Sequence, residues 1–218
     1  MALSGQAEGT SKIALIDLMR LIVLEKQQQE YIISKHWKAL VEQSVIQYIE
    51  KTDVKDPSAK VVHNYHKASF MFLANLYSTE SGRDLMQNEE RALSLIQFCT
   101  RSFLSCSPKT VQYAAQCLFN HLLCTETDRL PKYSADLIQA IRAIDEVLGD
   151  KQNQDIDCLS AVLLVECRIM YKNHDVCSFM EDTFKQYFLE THTDLKRRHA
   201  ANQSLAETCD DALSMVHL

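Results

Sequence analysis

Glycine and proline are nearly absent from this chain, which contains 4 glycines and 3 prolines in 218 residues. An average protein carries about 12 per cent of these two residues together. β-sheet proteins use glycine in tight turns, and dinucleotide-binding folds use it in phosphate loops. Because 46% of the residues are hydrophobic, the composition also argues against intrinsic disorder. We therefore expect a packed all-α protein rather than a sandwich, a barrel or a P-loop or Rossmann enzyme.

Apolar residues recur at the spacing of an amphipathic helix along most of the chain. The pattern predicts helices near residues 13–24, 37–49, 58–77, 88–104, 109–124, 133–148, 154–171 and 174–187, with one or two more before 216. Long apolar helices begin near Pro57, Pro108 and Gln154. These starts lie about 46 to 51 residues apart, close to the period of HEAT and armadillo repeats.

This repeat spacing predicts an armadillo/HEAT-like α-solenoid of about five to six helical repeats. In such a fold each unit buries its apolar face against its neighbours, and one helix from every unit lines the concave side. We expect a single domain over residues 12–218 behind a flexible lead-in over residues 1–11, and an irregular helical bundle is the alternative.

The charge balance, 23 basic against 29 acidic residues, argues against general binding to a phosphate backbone. The longest apolar run, residues 13–24, is interrupted by Asp17 and Arg20, so we expect no membrane span. Residues 1–11 lack the features of a signal peptide. Eight cysteines in such a chain indicate reduced thiols in the cytoplasm, and the nucleus stays open as a further location.

Few residue pairs have the spacing that catalysis or metal binding requires. His63 and His66 are three residues apart, but no third ligand accompanies them, so we expect neither a metal nor another cofactor. Cys117 and His121 are four apart, and no glycine-rich loop supplies an oxyanion hole. We read the cysteines as small apolar core groups and expect no enzyme.

The segment over residues 70–86, FMFLANLYSTESGRDLM, resembles the signature of the PUL domain family. A family helix that ends in N-x-F/Y runs into an x-x-G-x-x-L-M turn, and the matching residues here are Asn75, Tyr77, Gly82, Leu85 and Met86. The first helix resembles the family's opening ALD-x-LRL helix through Ala14, Asp17, Arg20 and Leu21. The helix VQYAAQCLFNHLLC after Ser107 and Pro108 resembles a central family helix.

This resemblance implies an armadillo-like adaptor in ubiquitin-dependent protein turnover. In the family, a basic concave groove binds the acidic C-terminal tail of the AAA+ ATPase called valosin-containing protein. Met71 and Ser160 stand where family members carry groove arginines, and Lys67 and Arg168 lie close enough along their helices to substitute. Each charge-assisted pair to an acidic tail is worth about 1.5–3 kcal/mol.

The helical period and the resemblance together define a candidate peptide groove. Asn75 is the first candidate for a clamp on a peptide main chain, and a helix C-terminal cap is its alternative role. Arg20 is a further candidate. The whole predicted set is Lys67, Met71, Asn75, Asn120, His121, Ser160, Arg168 and Lys172, with Arg20. A helical scaffold for an unrelated protein partner is the alternative function.

Overall fold

The computed structural model describes residues 13–36 and 60–216. Every regular element in these residues is helical, which confirms the all-α prediction. The helices are α1 over 13–22, α2 Lys26–His36, α3 Lys60–Leu76, α4 Glu80–Met86, α5 Glu89–Ser105, α6 Pro108–Cys124, α7 Ser134–Gly149, α8 Ile156–Met170, α9 His174–Phe179, α10 Lys185–Arg198 and α11 Gln203–Met215. The helix predicted over 37–49 and the start near Pro57 lie outside the described residues.

The structure differs from the predicted pattern at two helices and two connections. Helices α2 and α4 were not predicted, and α4 occupies a segment that the sequence analysis treated as a polar break. A 3₁₀ helix, Thr127–Tyr133, contains Pro131 and leads into α7. A π-helical turn, Met180–Phe184, joins α9 to α10, so the helix predicted to end near residue 187 continues to Arg198. A π turn adds a residue to one helical turn and rotates the apolar face, and this rotation breaks the period on which the prediction relied.

The longer helices pack in two rows. One row contains α3, α6, α8 and α11, and each of these helices contacts the next. The other row contains α5, α7 and α10, which contact one another in the same order, and consecutive helices link the rows. This stacking is consistent with a helical repeat fold, in which each unit packs mainly on its neighbours.

Several contacts between neighbouring helices join residues that are about 46 positions apart in the sequence. Gln29 contacts Asn75, and Arg168 contacts Leu122, both across 46 residues. Tyr77 contacts His121 across 44 residues. Because the Tyr77–His121 and Leu122–Arg168 pairs join the carboxyl-terminal ends of neighbouring helices, α3, α6 and α8 run in the same direction. The number of repeats, five to six, stays a prediction because part of the chain lies outside the described residues.

The hydrophobic core lies between the two rows. Phe70 of α3 stacks on Phe98 of α5, with ring centroids 4.3 Å apart. Fully buried side chains continue along both rows, among them Leu118, Ile144 and Phe188. In the part of the chain that the structure describes, no helix is both long and apolar enough to cross a bilayer.

Candidate functional site

The outer sides of α3, α6 and α8 form one continuous surface, which we call the α3–α6–α8 face. Each helix contacts the next, and the residues that point away from the core follow the helical spacing of three and four. The exposed or half-buried members are Asn64, Lys67, Met71, Asn75, Lys109, Tyr113, Gln116, Asn120, Leu123, Asp157, Ser160, Leu164, Arg168, Tyr171 and Lys172. The face thus includes seven of the nine predicted groove residues, and Arg20 and His121 are the two others.

Two lysines share one aromatic ring near the amino-terminal end of the face. The Nζ atom of Lys67 lies 5.4 Å from the ring centroid of Tyr113, and that of Lys109 lies 5.7 Å from it. Such cation–π contacts stabilise ammonium groups by about 0.5–1 kcal/mol at exposed sites. The Tyr113 ring therefore helps to position both ammonium groups, and both remain at the surface.

A second pair of cations marks the carboxyl-terminal end of the face. Arg168 donates from Nη2 to the carbonyl oxygen of Leu122 at 2.7 Å, which joins α8 to α6. Its Cζ atom lies 5.8 Å from the Tyr171 ring centroid, and Nζ of Lys172 lies 5.2 Å from the same centroid. Lys172 adopts a left-handed backbone conformation, φ 56°, just after α8 ends. This turn places the lysine beside the tyrosine.

The Arg168 guanidinium is only partly engaged by the protein. Its Nη1 atom has no hydrogen-bond partner within the described part of the chain, although it is shielded from solvent. Burial lowers the pKa of Arg168 below its ordinary value, but arginine stays charged at neutral pH. Arg168 therefore contributes a positive charge to this end of the face, while its Nη1 donor, unpaired among the described residues, lies beneath the surface.

The charge of this face differs from that of the whole protein. The sequences of α3, α6 and α8 contain two carboxylates, Asp157 and Glu166, and Glu166 is buried. The remaining residues of the chain therefore carry nearly all of the 29 acidic side chains. The face is basic on a molecule whose net charge is −6.

Asn75 and Arg20 are joined to each other inside the protein. The Asn75 side chain donates from Nδ2 to the main-chain oxygen of Arg20 at 3.0 Å, and the Asn75 carbonyl accepts from Nε2 of buried Gln29 at 3.0 Å. The Arg20 side chain pairs with Asp17 at 2.9 Å. Asn75 therefore does clamp a main chain, but that main chain belongs to α1 of the same molecule.

His121 does not reach the surface, whereas its neighbour Asn120 is half-buried on the face. The hydroxyl of Tyr77 and Nδ1 of His121 are 2.9 Å apart, and the histidine is 0% exposed. Burial lowers the pKa of His121 to about 4, so the ring is neutral at pH 7. His121 supports the face from below and cannot contact a bound peptide there.

The remaining candidate groups are explained by packing. His66 is buried, and its Nδ1 atom lies 3.8 Å from Sγ of Cys106. All eight cysteines are free thiols. Burial raises the pKa of Cys106 and of Cys158 to about 11, which keeps these thiols protonated and unreactive at neutral pH.

The structure contains a buried cluster of ionisable groups that the sequence analysis did not predict. Asp145 of α7, Glu166 of α8 and His192 of α10 are each 0% exposed. His192 Nε2 lies 2.7 Å from Glu166 Oε2, and His192 Nδ1 lies 3.9 Å from Asp145 Oδ1. A usable signal existed, because Asp145 and Glu166 both interrupt the apolar stripes of their helices, at IRAIDEVLG and LLVECRIM.

The low polarity of this interior shifts the titration of the cluster. Burial, followed by repulsion from the Glu166 carboxylate, raises the pKa of Asp145 to about 10. Burial lowers the pKa of His192, but the attraction of Glu166 and its hydrogen bond outweigh burial, and the pKa lies above its ordinary value. At neutral pH, and without a bound cation, the Asp145 carboxyl is therefore protonated.

The pattern that defines the PUL domain matches residues 8–175 of this chain. The chain belongs to the PUL domain family. PUL domains are protein-interaction domains rather than a catalytic family. Helices α10 and α11 of this PUL domain follow the matched region and continue the same two rows. No curated protein matches the chain.

Proposed function

We propose that this PUL domain binds the acidic C-terminal tail of an AAA+ ATPase of the valosin-containing type along the α3–α6–α8 face. The observation that carries the proposal is the basic character of this face on an acidic protein. Electrostatic complementarity of this kind raises association rates and selects acidic partners. Membership of a protein-interaction family supports the same conclusion.

The face offers two anchoring regions for such a tail. Lys67 and Lys109, held around Tyr113, supply one pair of cations, and Arg168 and Lys172, held around Tyr171, supply the other. The half-buried Asn120 lies between them and has the donor and acceptor groups that an extended main chain needs. We propose Asn120 in place of Asn75 as the residue that contacts the peptide main chain.

We propose that Lys67 and Arg168 supply the positive charge that groove arginines supply in the family. Met71 and Ser160 are both half-buried on the face, and Lys67 and Arg168 lie one and two helical turns from them along the same helices. Leu123 and Leu164 are 56% and 46% exposed between the cation pairs. We propose that the tail combines carboxylates with apolar side chains that cover these leucines.

We further propose that the domain acts without catalysis, as an adaptor in ubiquitin-dependent protein turnover in the cytoplasm and the nucleus. High thiol pKa values and the engagement of His121 by Tyr77 support a binding role rather than a thiol-based reaction.

Fluorescence anisotropy with a labelled peptide of the ATPase C-terminal tail tests the proposal. We expect saturable binding that weakens as salt concentration rises, because the contacts are charge-assisted. Lys67→Glu and Lys172→Glu should each weaken binding at least about tenfold, which corresponds to about 1.4 kcal/mol. Lys151→Glu, an exposed lysine in the loop between α7 and α8, is the matched control and should leave affinity unchanged.

Two outcomes would contradict the proposal. Absence of saturable binding at low salt would eliminate this partner. Equal effects of Lys67→Glu, Lys172→Glu and Lys151→Glu would show that net charge alone, rather than the α3–α6–α8 face, governs the interaction.

A further inference from the structure

The buried cluster joins three helices that are distant in sequence. Asp145 lies on α7, Glu166 on α8 and His192 on α10, and the first and last of these helices belong to the second row while α8 belongs to the first. One possible ligand atom from each residue lies within 4.8 Å of the other two. The cluster therefore sits between the rows, where two repeats meet.

The hydrogen bonding of His192 fixes which ring nitrogen faces the Glu166 carboxylate. Nδ1 lies 2.9 Å from the main-chain oxygen of Phe188, and a carbonyl can only accept, so Nδ1 carries a proton. Nε2 then faces Glu166 Oε2 at 2.7 Å. Asp145 Oδ1 lies 3.9 Å from Nδ1, on the other side of the ring. A histidine whose Nδ1–H donates to a backbone carbonyl while Nε2 points at a carboxylate has the orientation of a metal-ligating histidine.

The carboxylates have more acceptor capacity than the protein around them uses. Three buried oxygen atoms lack a hydrogen-bond partner within the described residues. They are both carboxylate oxygens of Asp145 and Oε1 of Glu166. Each unsatisfied buried polar group costs roughly 1–3 kcal/mol. Three such oxygens in one interior cluster provide acceptor positions for a bound cation.

We propose that Asp145, Glu166 and His192 bind one divalent transition-metal ion, with Zn²⁺ the best match. Carboxylate oxygens and an imidazole nitrogen are established zinc ligands, and three protein ligands leave a fourth position for water or a second carboxylate oxygen. Two carboxylates and a neutral imidazole balance the two charges of the ion, which then takes the place of the protons in the cluster. The ion would hold α7, α8 and α10 together.

Metal content and thermal unfolding of the purified protein test this site. We expect about one equivalent of metal by elemental analysis after purification with Zn²⁺. A chelator should lower the unfolding temperature, and restored Zn²⁺ should raise it again, because a ligand that binds only the folded state stabilises it. The d–d bands of Co²⁺ in place of Zn²⁺ should appear without a thiolate charge-transfer band.

Variants separate this site from the cysteines and other histidines. Glu166→Gln and Asp145→Asn keep the side-chain size, and each should weaken Zn²⁺ binding at least about 100-fold. Cys106→Ser is the matched control, because Cys106 and His66 form a separate sulfur–imidazole pair, and it should retain the full equivalent.

Two results would overturn the site. One is less than half an equivalent of metal in the wild-type protein together with no change of unfolding temperature on adding Zn²⁺ or Mn²⁺. The other is full metal retention by Asp145→Asn, which would place the ion elsewhere. Because the wild-type measurements stand alone, the conclusion holds even if a variant fails to fold.

Discussion

His121 shows how burial sets the chemistry of a single side chain. In the unfolded chain a histidine titrates near pH 6.5, whereas burial holds the pKa of His121 near 4 in the folded protein. The unfolded state therefore takes up a proton first as the pH falls. Protonation favours unfolding between about pH 6.5 and pH 4, and the effect levels off below the folded-state pKa.

We predict that His121→Gln reduces the acid sensitivity of the protein. Relative to wild type, the variant should lose about 2 kcal/mol less of its free energy of unfolding between pH 7 and pH 5, because its side chain cannot be protonated. Urea denaturation at several pH values measures this difference. Parallel pH profiles for the two proteins would show that His121 is already accessible to protons in the folded state.

The burial and contacts of individual side chains were harder to predict from the sequence than the positions of the helices. The stripe of Lys67, Met71 and Asn75 could be predicted, because the helical period assigns residues to one side of a helix. The burial of His121 under Tyr77 could not, because it depends on how α3 sits against α6. The meeting of Asp145, Glu166 and His192 likewise depends on three helices whose relative rotation the period does not define.

At the scale of helices, the junction between α3 and α4 requires a glycine. A Cβ atom on Gly82 would collide with the carbonyl oxygen of Leu76, and the nitrogen of Gly82 donates to Oγ1 of Thr79 at 3.1 Å. Thr79 in turn donates to Oε1 of Gln29. The turn thus connects α2, α3 and α4 through a few short contacts.

We predict that Gly82→Ala destabilises the protein by about 1–3 kcal/mol, the usual cost of forcing extra volume into a packed site. Gly149→Ala is the matched control, because a Cβ there meets only the Tyr187 hydroxyl at 3.5 Å, an ordinary contact. It should be neutral or stabilising by up to about 1 kcal/mol, since alanine favours a helix. Thermal unfolding of both variants checks the contrast, and equal unfolding temperatures would refute it.

Helix positions were largely predictable, because most helices have an uninterrupted apolar period and clear starts. Pro108 begins α6 as the sequence indicates, and the helices over 89–105 and 156–170 lie within two residues of their predicted ends. The exceptions are α2 and α4, which were not predicted, and the passage from α9 to α10, where the π turn over Met180–Phe184 changes the period.

At the scale of the whole molecule, the packed rows extend beyond the region that the family pattern matches. Helices α10 and α11 pack on α7 and α8. Their side chains Phe188, Leu195, Leu205 and Cys209 are at most 1% exposed. The last two repeats therefore depend on residues that follow position 175.

We predict that a fragment ending at residue 175 loses more than about 5 kcal/mol of stability, because it leaves apolar surface of α7 and α8 uncovered. The fragment should bind a hydrophobic dye and self-associate, whereas a fragment ending at residue 216 should behave as the full chain does. Size-exclusion chromatography and dye fluorescence measure both properties. A monomeric, dye-free fragment 1–175 would show that α10 and α11 are dispensable.

Under the proposed function, the parallel row of α3, α6 and α8 also limits the length of the peptide that one molecule can contact. Neighbouring packed helices lie about 8–10 Å apart, so the three axes span about 16–20 Å. An extended chain advances about 3.3 Å per residue, and the row therefore accommodates about five to six consecutive residues. Each additional unit of about 46 residues would lengthen the contacted segment by about three residues. The number of repeats would therefore determine the length of the peptide that the face contacts.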